Sequence, residues 1–215
     1  MFLEENSKLN LSAFRTEEAC WIGNVMDSLA ALDLQIFKDA KSLPAGKAGI
    51  LDVGTGGGFP LLPLAICLPD TKFTGIDSTQ KKIDAIQRII ERLSITNVSL
   101  VSGRTEELGR DAEYREKFDL VTSRALASLN TLLEYCAPFA KVNGYLIAWK
   151  SVNIDQEMQD SLLARAELSC HLDDTYEYEL PEDWGKRQLL IFEKTSKTSD
   201  KYPRAVGIPK KNPIK

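Results

Sequence analysis

The feature that most constrains the fold is a glycine-rich turn between a short apolar strand and a helix. The turn reads Asp52-x-Gly54-x-Gly56-x-Gly58, and the apolar run of residues 49–53 leads into it. Glycines at such a junction are typical of the ligand-binding edge of an α/β sheet. The dinucleotide fingerprint G-x-G-x-x-G would require glycine at position 59, which is Phe59. The turn therefore predicts an α/β fold with a ligand site of another kind.

Strand and helix patterns alternate along most of the chain. The predicted strands are 49–53, 72–77, 98–102, 118–122 and 145–149, and the predicted helices are 16–34 with Thr16 as its cap, 60–68, 79–93, 128–140 and 154–166. This alternation favours a doubly wound, mostly parallel, Rossmann-like sheet. Two further strands, 171–180 and 186–193, predict an antiparallel hairpin at its edge. The breaker-rich stretch 42–49 separates the first helix from the sheet. We thus expect a helical extension (1–45), an α/β domain (46–194) and an extended tail without regular structure (195–215).

The acids near the glycine turn indicate which ligand it holds. A dinucleotide offers a pyrophosphate to helix N-terminal amides, whereas S-adenosylmethionine has no phosphate and carries an amino-acid end, a ribose and an adenine. Asp52 can order the turn or meet the ligand's ammonium group. Asp77 ends the second strand, where a carboxylate can accept both ribose hydroxyls; alone, it would more often be a helix cap. The combination predicts S-adenosylmethionine as the cofactor.

The composition excludes several classes of site and location. The chain has one histidine, His171, and four cysteines without a Cys-x-x-Cys pair, so neither a metal site nor a Ser-His-Asp triad is expected. Its N-terminus is acidic, unlike a secretory signal, and no 18-residue apolar run occurs. We expect a cytoplasmic protein without a membrane partner.

The charge of the chain is unevenly distributed. The net charge is -4, but the residues from Lys194 onward carry seven basic groups and one acid, or +6, which leaves -10 on the rest. A basic tail predicts contacts with phosphates, although such a tail can also serve solubility alone. An acidic body predicts an acidic pocket, suited to a cationic methyl donor.

The motifs, in this order, resemble the glucose-inhibited division protein B family, the small-subunit ribosomal RNA methyltransferases G, which methylate guanine N7. The matching segments are Asn10-Leu-Ser-Ala13, Asp27-Ser-Leu29, Asp52 to Ile66, Asp77-Ser78, Ser102-x-Arg104-x-Glu106-Glu107, Ser123-Arg-Ala-x-Ala-x-Leu129 and Tyr202-Pro-Arg-x-x-Gly-x-Pro209. The resemblance implies a class I S-adenosylmethionine-dependent methyltransferase acting on small-subunit ribosomal RNA or the assembled small subunit. It implies cofactor contacts at Gly54, Phe59, Thr105, Glu106 and Arg124.

The residues themselves add to these expected contacts. Gly56 and Asp77 join the cofactor set, and backbone groups around Thr105 and Glu106 are placed against the adenine. Arg124 leaves the carboxyl end of the fourth strand, so it can hold a carboxylate or phosphate in the crevice; a surface ion pair is the alternative. For RNA we expect Arg124 and four further cations, which are Lys150, Arg204, Lys210 and Lys211. We also expect exposed cations of the 79–93 helix to assist, namely Lys81, Lys82, Arg88 and Arg92.

The expected chemistry is a direct in-line methyl transfer. Guanine N7 has a lone pair and no proton, so no general base and no catalytic side chain are predicted, and positioning supplies the rate. The chain is expected to act as a monomer. Two alternatives stay open at this stage: a small-molecule methyltransferase, and a non-catalytic RNA-binding or ribosome-assembly factor on the same fold.

The chain also departs from the family pattern. Gly23 and Asn24 replace a basic residue and a histidine, Leu61 replaces a glycine, and Ala205 replaces a basic residue. Trp149-Lys150-Ser151 replaces Leu-Lys-Gly, and fewer residues precede the first signature. These departures put RNA docking in question more than cofactor binding.

Overall fold

One seven-stranded sheet organises the part of the chain that the structure, a computed structural model, describes, namely residues 1–42 and 49–215. Its strands are β1 Gly49–Val53, β2 Lys72–Asp77, β3 Val98–Ser102, β4 Phe118–Arg124, β5 Ala140–Ser151, β6 Cys170–Leu180 and β7 Gly185–Lys194. All seven predicted strands are present. The predicted domain boundary at 45/46 and most of the breaker-rich stretch lie outside the described residues, and the division into three parts stays a prediction.

The strand order places the expected ligand site at the carboxyl ends of the central strands. The order is β3-β2-β1-β4-β5-β7-β6; the first five strands are parallel, and β7 pairs antiparallel with β5 and β6. The doubly wound fold and its antiparallel hairpin are confirmed. The direction of winding reverses between β1 and β4, and this is where such sheets bind ligands, outside the carboxyl ends of the strands.

Helices cover both faces of the sheet. Their bounds are α1 Phe2–Leu9, α2 Glu17–Cys20, α3 Asp27–Leu29, α4 Gln35–Ser42, α5 Leu61–Cys67, α6 Gln80–Leu93, α7 Thr105–Leu108, α8 Leu129–Cys136, α9 Asp155–Asp160, α10 Leu162–Glu167 and α11 Ile208–Lys211. Alternate residues of each central strand face opposite cores, as a period of two requires. Leu51 belongs to the core cluster that contains side chains of α8 and α10, whereas Ile50 belongs to the cluster that contains side chains of α4 and α5.

The helix predicted over 16–34 is present but irregular. Thr16 caps it as predicted, with its hydroxyl accepting from the amide of Ala19 at 3.2 Å. Between α2 and α3 the backbone widens into a π-helical turn, Trp21–Met26, and a 3-10 turn, Ala30–Asp33, follows. Such turns are frequent at functional sites. A residue from outside the helix contacts this π-helical turn: Arg124 donates to the carbonyl oxygen of Gly23.

Two predicted helices have other bounds than expected. The helix predicted over 128–140 ends at Cys136, because β5 already begins at Ala140. The helix predicted over 154–166 is split into α9 and α10 at Ser161. The Ser161 hydroxyl donates to the carbonyl of Met158 at 2.8 Å, which competes with the helical backbone pattern.

The prediction that the tail has no regular structure is wrong. Residues 208–211 form the short helix α11, which starts after Gly207 and tolerates Pro209 in its first turn, where a missing amide costs nothing. The tail is also held against the body. Tyr202, Pro209 and Ile214 are buried, the Thr131 hydroxyl donates to the Pro209 carbonyl, and the Asn130 amide donates to the Ile214 carbonyl.

Candidate active site

The glycine turn after β1 adopts a conformation that needs its glycines. Gly54, Gly56 and Gly58 have φ angles of 73°, 54° and 86°, in the left-handed region where a side chain is strained. Space is also short, because a Cβ on Gly54 would lie 2.6 Å from Cδ1 of Leu126. The turn is fixed to β2, since the amides of Gly54 and Thr55 both donate to the carbonyl of Ile76 at 2.9 Å. The sequence thus builds a narrow backbone cradle.

Asp77 connects this cradle to the end of β2. One carboxylate oxygen accepts from the amide of Gly56 at 3.0 Å and the other from the amide of Thr79 at 2.8 Å. Asp77 therefore braces the glycine turn and orders the residues just before α6, whereas the N-cap of that helix is Thr79 and not Asp77. Each carboxylate oxygen has two lone pairs, so each can still accept one hydroxyl. This remaining capacity fits the two hydroxyls of a ribose, and the ribose contact itself stays a prediction.

Asp52 lies beneath the turn and is 1% exposed. Its Oδ1 accepts from the Thr122 hydroxyl at 2.9 Å, while Oδ2 has no hydrogen-bond partner among the described residues. Burial raises the pKa of Asp52 to about 6, against the effect of neighbouring hydroxyls and of Arg124. Asp52 thus supports the turn from below and is absent from the cleft lining.

The N-terminal segment lies directly over the glycine turn. The carbonyl oxygen of Leu11 comes so close to Gly57 that a Cβ there would lie 2.9 Å from it. Buried Asn6 holds this segment in place, because its side chain accepts from the amide of Ser12 and donates to the carbonyl of Phe14, both at 2.8 Å. Residues from the predicted helical extension therefore form one wall of the site.

Arg124, at the end of β4, is bound by this extension. Its guanidinium donates to the carbonyl of Gly23 at 2.9 Å, to Oδ1 of Asn24 at 2.8 Å and to the carboxylate of Asp27 at 2.7 Å. It also lies over the ring of Phe59, 5.7 Å from the centroid. An ion pair is present, as the alternative interpretation of Arg124 expected, but it is largely buried and lies in the cleft. Two of the positions at which the chain departs from the family pattern, 23 and 24, thus accept hydrogen bonds from Arg124.

These elements enclose a cleft of about 760 Å³ at the carboxyl edge of the sheet. That size is ordinary for a small-molecule site. One end is formed by the glycine turn and Asp77, over β1 and β2. The other end is formed by Trp149, Tyr178 and Trp184, over β5 and the β6–β7 hairpin. Arg124, on the strand between them, separates the two ends.

The structure brings five of the seven predicted cofactor residues to this cleft. They are Gly54, Gly56, Phe59, Asp77 and Arg124. Thr105 and Glu106 are absent from the lining, and the Glu106 carboxylate accepts from the amide of Gly207 at 2.9 Å. The predicted contacts of Thr105 and Glu106 with adenine involve backbone groups. The hydrogen bond of the Glu106 side chain does not test them, so these contacts stay predictions.

The cations predicted to bind RNA differ in whether they are paired with an acid and in how exposed they are. Lys150 lines the cleft and is paired with Glu157 at 2.6 Å, and Arg204 is paired with the fully buried Glu134. Of the four cations predicted in addition to Arg124, only Lys210 and Lys211 are exposed, and both lie on α11. On α6, two of the expected helpers are paired with α1, as Arg88 binds Glu5 and Arg92 binds Glu4.

The expectation of seven unfolded cations in the tail is also wrong. Four of them are in ion pairs within 4.0 Å: Lys194 with Glu116, Lys201 with Glu167, Arg204 with Glu134 and Lys215 with Asp160. Because acids of the body already bind these cations, the charge of +6 counted in the sequence overstates what the tail can offer to phosphates.

The expectation of an acidic pocket is wrong for the side chains that line the cleft. Six charged side chains line it, four of them basic: Asp27, Asp77, Lys82, Arg124, Lys150 and Arg187. Arg124 and Lys150 are paired with acids. Lys82 and Arg187 have no ion pair among the described residues. The cleft therefore offers two cations to a ligand.

Asp27 is the site residue whose role the sequence did not reveal. Its carboxylate binds Arg124 and accepts from the Tyr178 hydroxyl at 2.6 Å, and its carbonyl accepts from the indole of Trp149 at 2.8 Å. Burial and the Asp27 carboxylate raise the pKa of Tyr178. A signal was present, since an acid beside the apolar face of a predicted helix needs a buried partner.

The described residues show no cluster of three or more histidine, cysteine, aspartate or glutamate side chains able to hold a metal ion. Within the same ranges, none of the helices is both long and apolar enough to span a bilayer.

Comparison with known proteins assigns this site to a family. The chain matches rRNA small subunit methyltransferase G over residues 1–180. It is 37% identical over 214 residues to the ribosomal RNA small subunit methyltransferase G of Carboxydothermus hydrogenoformans, covering this whole chain and 88% of that protein. The chain belongs to this family of ribosomal RNA methyltransferases. The Lactococcus lactis member is 39% identical over 215 residues, with 87% of it covered.

Solved structures agree on the fold of this family member. A SAM dependent methyltransferase from Aquifex aeolicus superposes with a TM-score of 0.52 at 17% identity, over 78% of this chain and 94% of that one. A 30S ribosomal A1408 methyltransferase from an uncultured bacterium gives 0.55 at 17% identity, over 76% and 95%. Family and fold identify S-adenosylmethionine as the cofactor. The glycine cradle and the spare lone pairs of Asp77 fit it.

Proposed function

We propose that the chain transfers a methyl group from S-adenosylmethionine to N7 of a guanine in small-subunit ribosomal RNA, without a general base. The observation that carries this proposal is the state of the two carboxylates that line the cleft. Asp27 is bound by Arg124 and Tyr178, and Asp77 is bound by two backbone amides. Asp27 already has its partners, and the remaining lone pairs of Asp77 are assigned to the ribose hydroxyls of the cofactor, so neither acid is left to remove a proton. Such a cleft suits a nucleophile that has no proton to lose.

The chemistry of N7 meets this condition. S-adenosylmethionine supplies an electrophilic methyl group on its sulfonium. The N7 lone pair forms the new bond while the carbon–sulfur bond breaks, so no proton moves. The raised pKa of Tyr178 keeps its phenol protonated, which removes it as a base. The residues of the cleft then contribute alignment and exclusion of water.

The accessibility of N7 restricts the substrate. In A-form RNA, N7 faces a major groove that is too narrow to enter, so the target guanine belongs to a loop or distorted region. Exposed Lys210 and Lys211 on α11 support contacts with phosphates near the cleft, because α11 packs on the start of α8, which lies at the carboxyl ends of the strands. We also propose that the protein is cytoplasmic and monomeric. Sedimentation of the purified chain tests its monomeric state.

The direct test is methylation with radiolabelled S-adenosylmethionine. Small ribosomal subunits and deproteinised ribosomal RNA serve as parallel substrates, and N7-methylguanine is mapped by borohydride reduction and aniline cleavage. We expect label at one guanine and strand cleavage at that position. Label on another atom, or none in either substrate, contradicts the proposal. Calorimetry with the cofactor distinguishes the remaining alternative, since a non-catalytic assembly factor would not bind it.

A further inference from the structure

Two aromatic rings lie together at the end of the cleft away from the glycine turn. Phe14 belongs to the N-terminal segment and Trp184 to the turn between β6 and β7, and both line the cleft half-buried. Their centroids are 5.2 Å apart and their planes make an angle of 61°, an edge-to-face arrangement. In such a pair one ring keeps both faces uncovered by the other, so a flat ligand can still stack on it.

Gly23 makes room for this pair. A Cβ on Gly23 would lie 2.4 Å from Cε2 of Phe14 and 2.7 Å from Cζ3 of Trp184. Both distances are far below van der Waals contact, so any other residue at 23 would displace the rings. The aromatic pair and the glycine therefore belong together as one built feature of the cleft.

The charges around the rings indicate a nucleotide. Arg187 lines the same cleft three residues after Trp184, and its guanidinium donates to the carbonyl of Lys186 at 2.9 Å. An aromatic platform beside a cation without an acid partner among the described residues matches a base with its phosphate, since bases stack on aromatic side chains and arginine binds phosphate.

We propose that Phe14 and Trp184 form the base-binding subsite of the cleft, where the target guanine stacks while Arg187 faces its phosphate. The inference rests on the proposed function, because it assigns the substrate end of the same cleft. The cofactor end, at the glycine turn and Asp77, lies on the other side of Arg124 and is separate from this platform. Removal of the platform should therefore weaken RNA binding and spare cofactor binding.

Steady-state methylation of small subunits tests this with three variants. Trp184→Ala should raise the KM for subunits by roughly tenfold to a hundredfold, as expected when one stacked base loses its ring. Trp184→Phe should restore it to within about threefold, because a ring is kept. Trp21→Phe is the matched control, since Trp21 is 59% exposed and does not line the cleft. The calorimetric affinity for S-adenosylmethionine should be the same in all four proteins.

An unchanged KM in Trp184→Ala overturns the inference, and so does a parallel loss of cofactor affinity. If the wild type makes no N7-methylguanine, the proposed function fails instead. A fluorescence titration then still decides about the platform. With S-adenosylhomocysteine present, guanosine monophosphate should quench tryptophan emission in Trp21→Phe, and should quench it much less in Trp21→Phe/Trp184→Phe. Equal quenching in both overturns the platform.

Discussion

The side chain of Arg204 binds the buried carboxylate of Glu134 through both of its oxygens. Nε of Arg204 lies 2.9 Å from Oε1 and Nη2 lies 2.6 Å from Oε2, and the Arg204 amide also donates to Oε1 at 2.8 Å. Glu134 is completely buried on α8. This pair attaches the C-terminal tail to the body, so a residue expected to bind RNA has a structural partner.

Arg204→Met should destabilise the fold by about 3 kcal/mol, because it leaves a buried carboxylate without its partner. Urea unfolding measures this free energy. Lys210→Met is the control, since Lys210 is exposed on the same tail, and it should change stability by at most about 0.5 kcal/mol. Adding Glu134→Leu to the methionine variant should recover part of the stability. Equal stabilities of the two single variants would contradict the structural role of the pair.

The sheet was predictable because its signals are local. The run 49–53 is followed by a glycine and the run 72–77 ends at an aspartate, and the bounds of both agree with the structure. The glycine cradle was predictable for the same reason. Local patterns also sufficed for the C-terminal hairpin, where a polar turn separates two strand-like runs.

The state of the charged residues was not predictable, because it depends on partners far away in the chain. Arg204 is separated from Glu134 by 70 residues and Arg124 from Asp27 by 97. Counting charges treated all cations as free, which made the tail cations look available to phosphates and the pocket look acidic. The two unpaired cations of the cleft, Lys82 on α6 and Arg187 on β7, are brought to it only by the folding of the whole chain.

Gly54→Ala should weaken cofactor binding at least about tenfold, since the new Cβ meets Leu126 and strains a φ angle of 73°. Calorimetry with S-adenosylmethionine measures this affinity. Gly207→Ala is the matched control, because Gly207 has a φ of 81° but open space around its Cβ position. The control should lose about 1 kcal/mol of stability and keep its cofactor affinity. Equal affinities in both variants would remove the cradle from the binding site.

Asp52 should make stability depend on pH between about 4 and 6. An unfolded aspartate titrates near pH 4, and burial raises the folded pKa of Asp52 to about 6. The folded state therefore binds the proton more tightly, and the stability gained below pH 4 is lost as pH rises through 6. In Asp52→Asn this loss is absent, so the variant should gain roughly 2–3 kcal/mol relative to wild type between pH 4 and 7. A pH-independent difference in stability between wild type and Asp52→Asn would refute the assignment.

The four free cysteines should differ sharply in reactivity. Cys67 is exposed, whereas Cys20, Cys136 and Cys170 are buried, and burial raises the pKa of Cys170 to about 12. The thiolate is the reactive form. Ellman's reagent should therefore modify one thiol rapidly in the native protein, and Cys67→Ser should abolish this fast phase while Cys136→Ser preserves it. Two or more fast thiols would show that the core opens easily.

Only the C-terminal part of the tail should contact RNA, because the tail runs from the end of the sheet opposite the cleft to the end at which the cleft lies. Since β7 is antiparallel to β5, its end and exposed Lys197 lie at the edge opposite the cleft. The tail then returns to the start of α8, where Pro209 and Ile214 bind Thr131 and Asn130. Lys210 and Lys211 thus lie on the cleft side.

Lys210→Met and Lys211→Met should each lower the salt dependence of small-subunit binding. The slope of log affinity against log salt concentration falls by roughly 0.7–0.9 for each phosphate that a lysine no longer neutralises. Lys197→Met should leave the slope unchanged, because its ammonium lies at the far edge. Filter binding at several salt concentrations measures all three. Equal slopes in the three variants would mean that α11 does not touch the RNA, and the cleft cations Lys82 and Arg187 would then have to bind the phosphates.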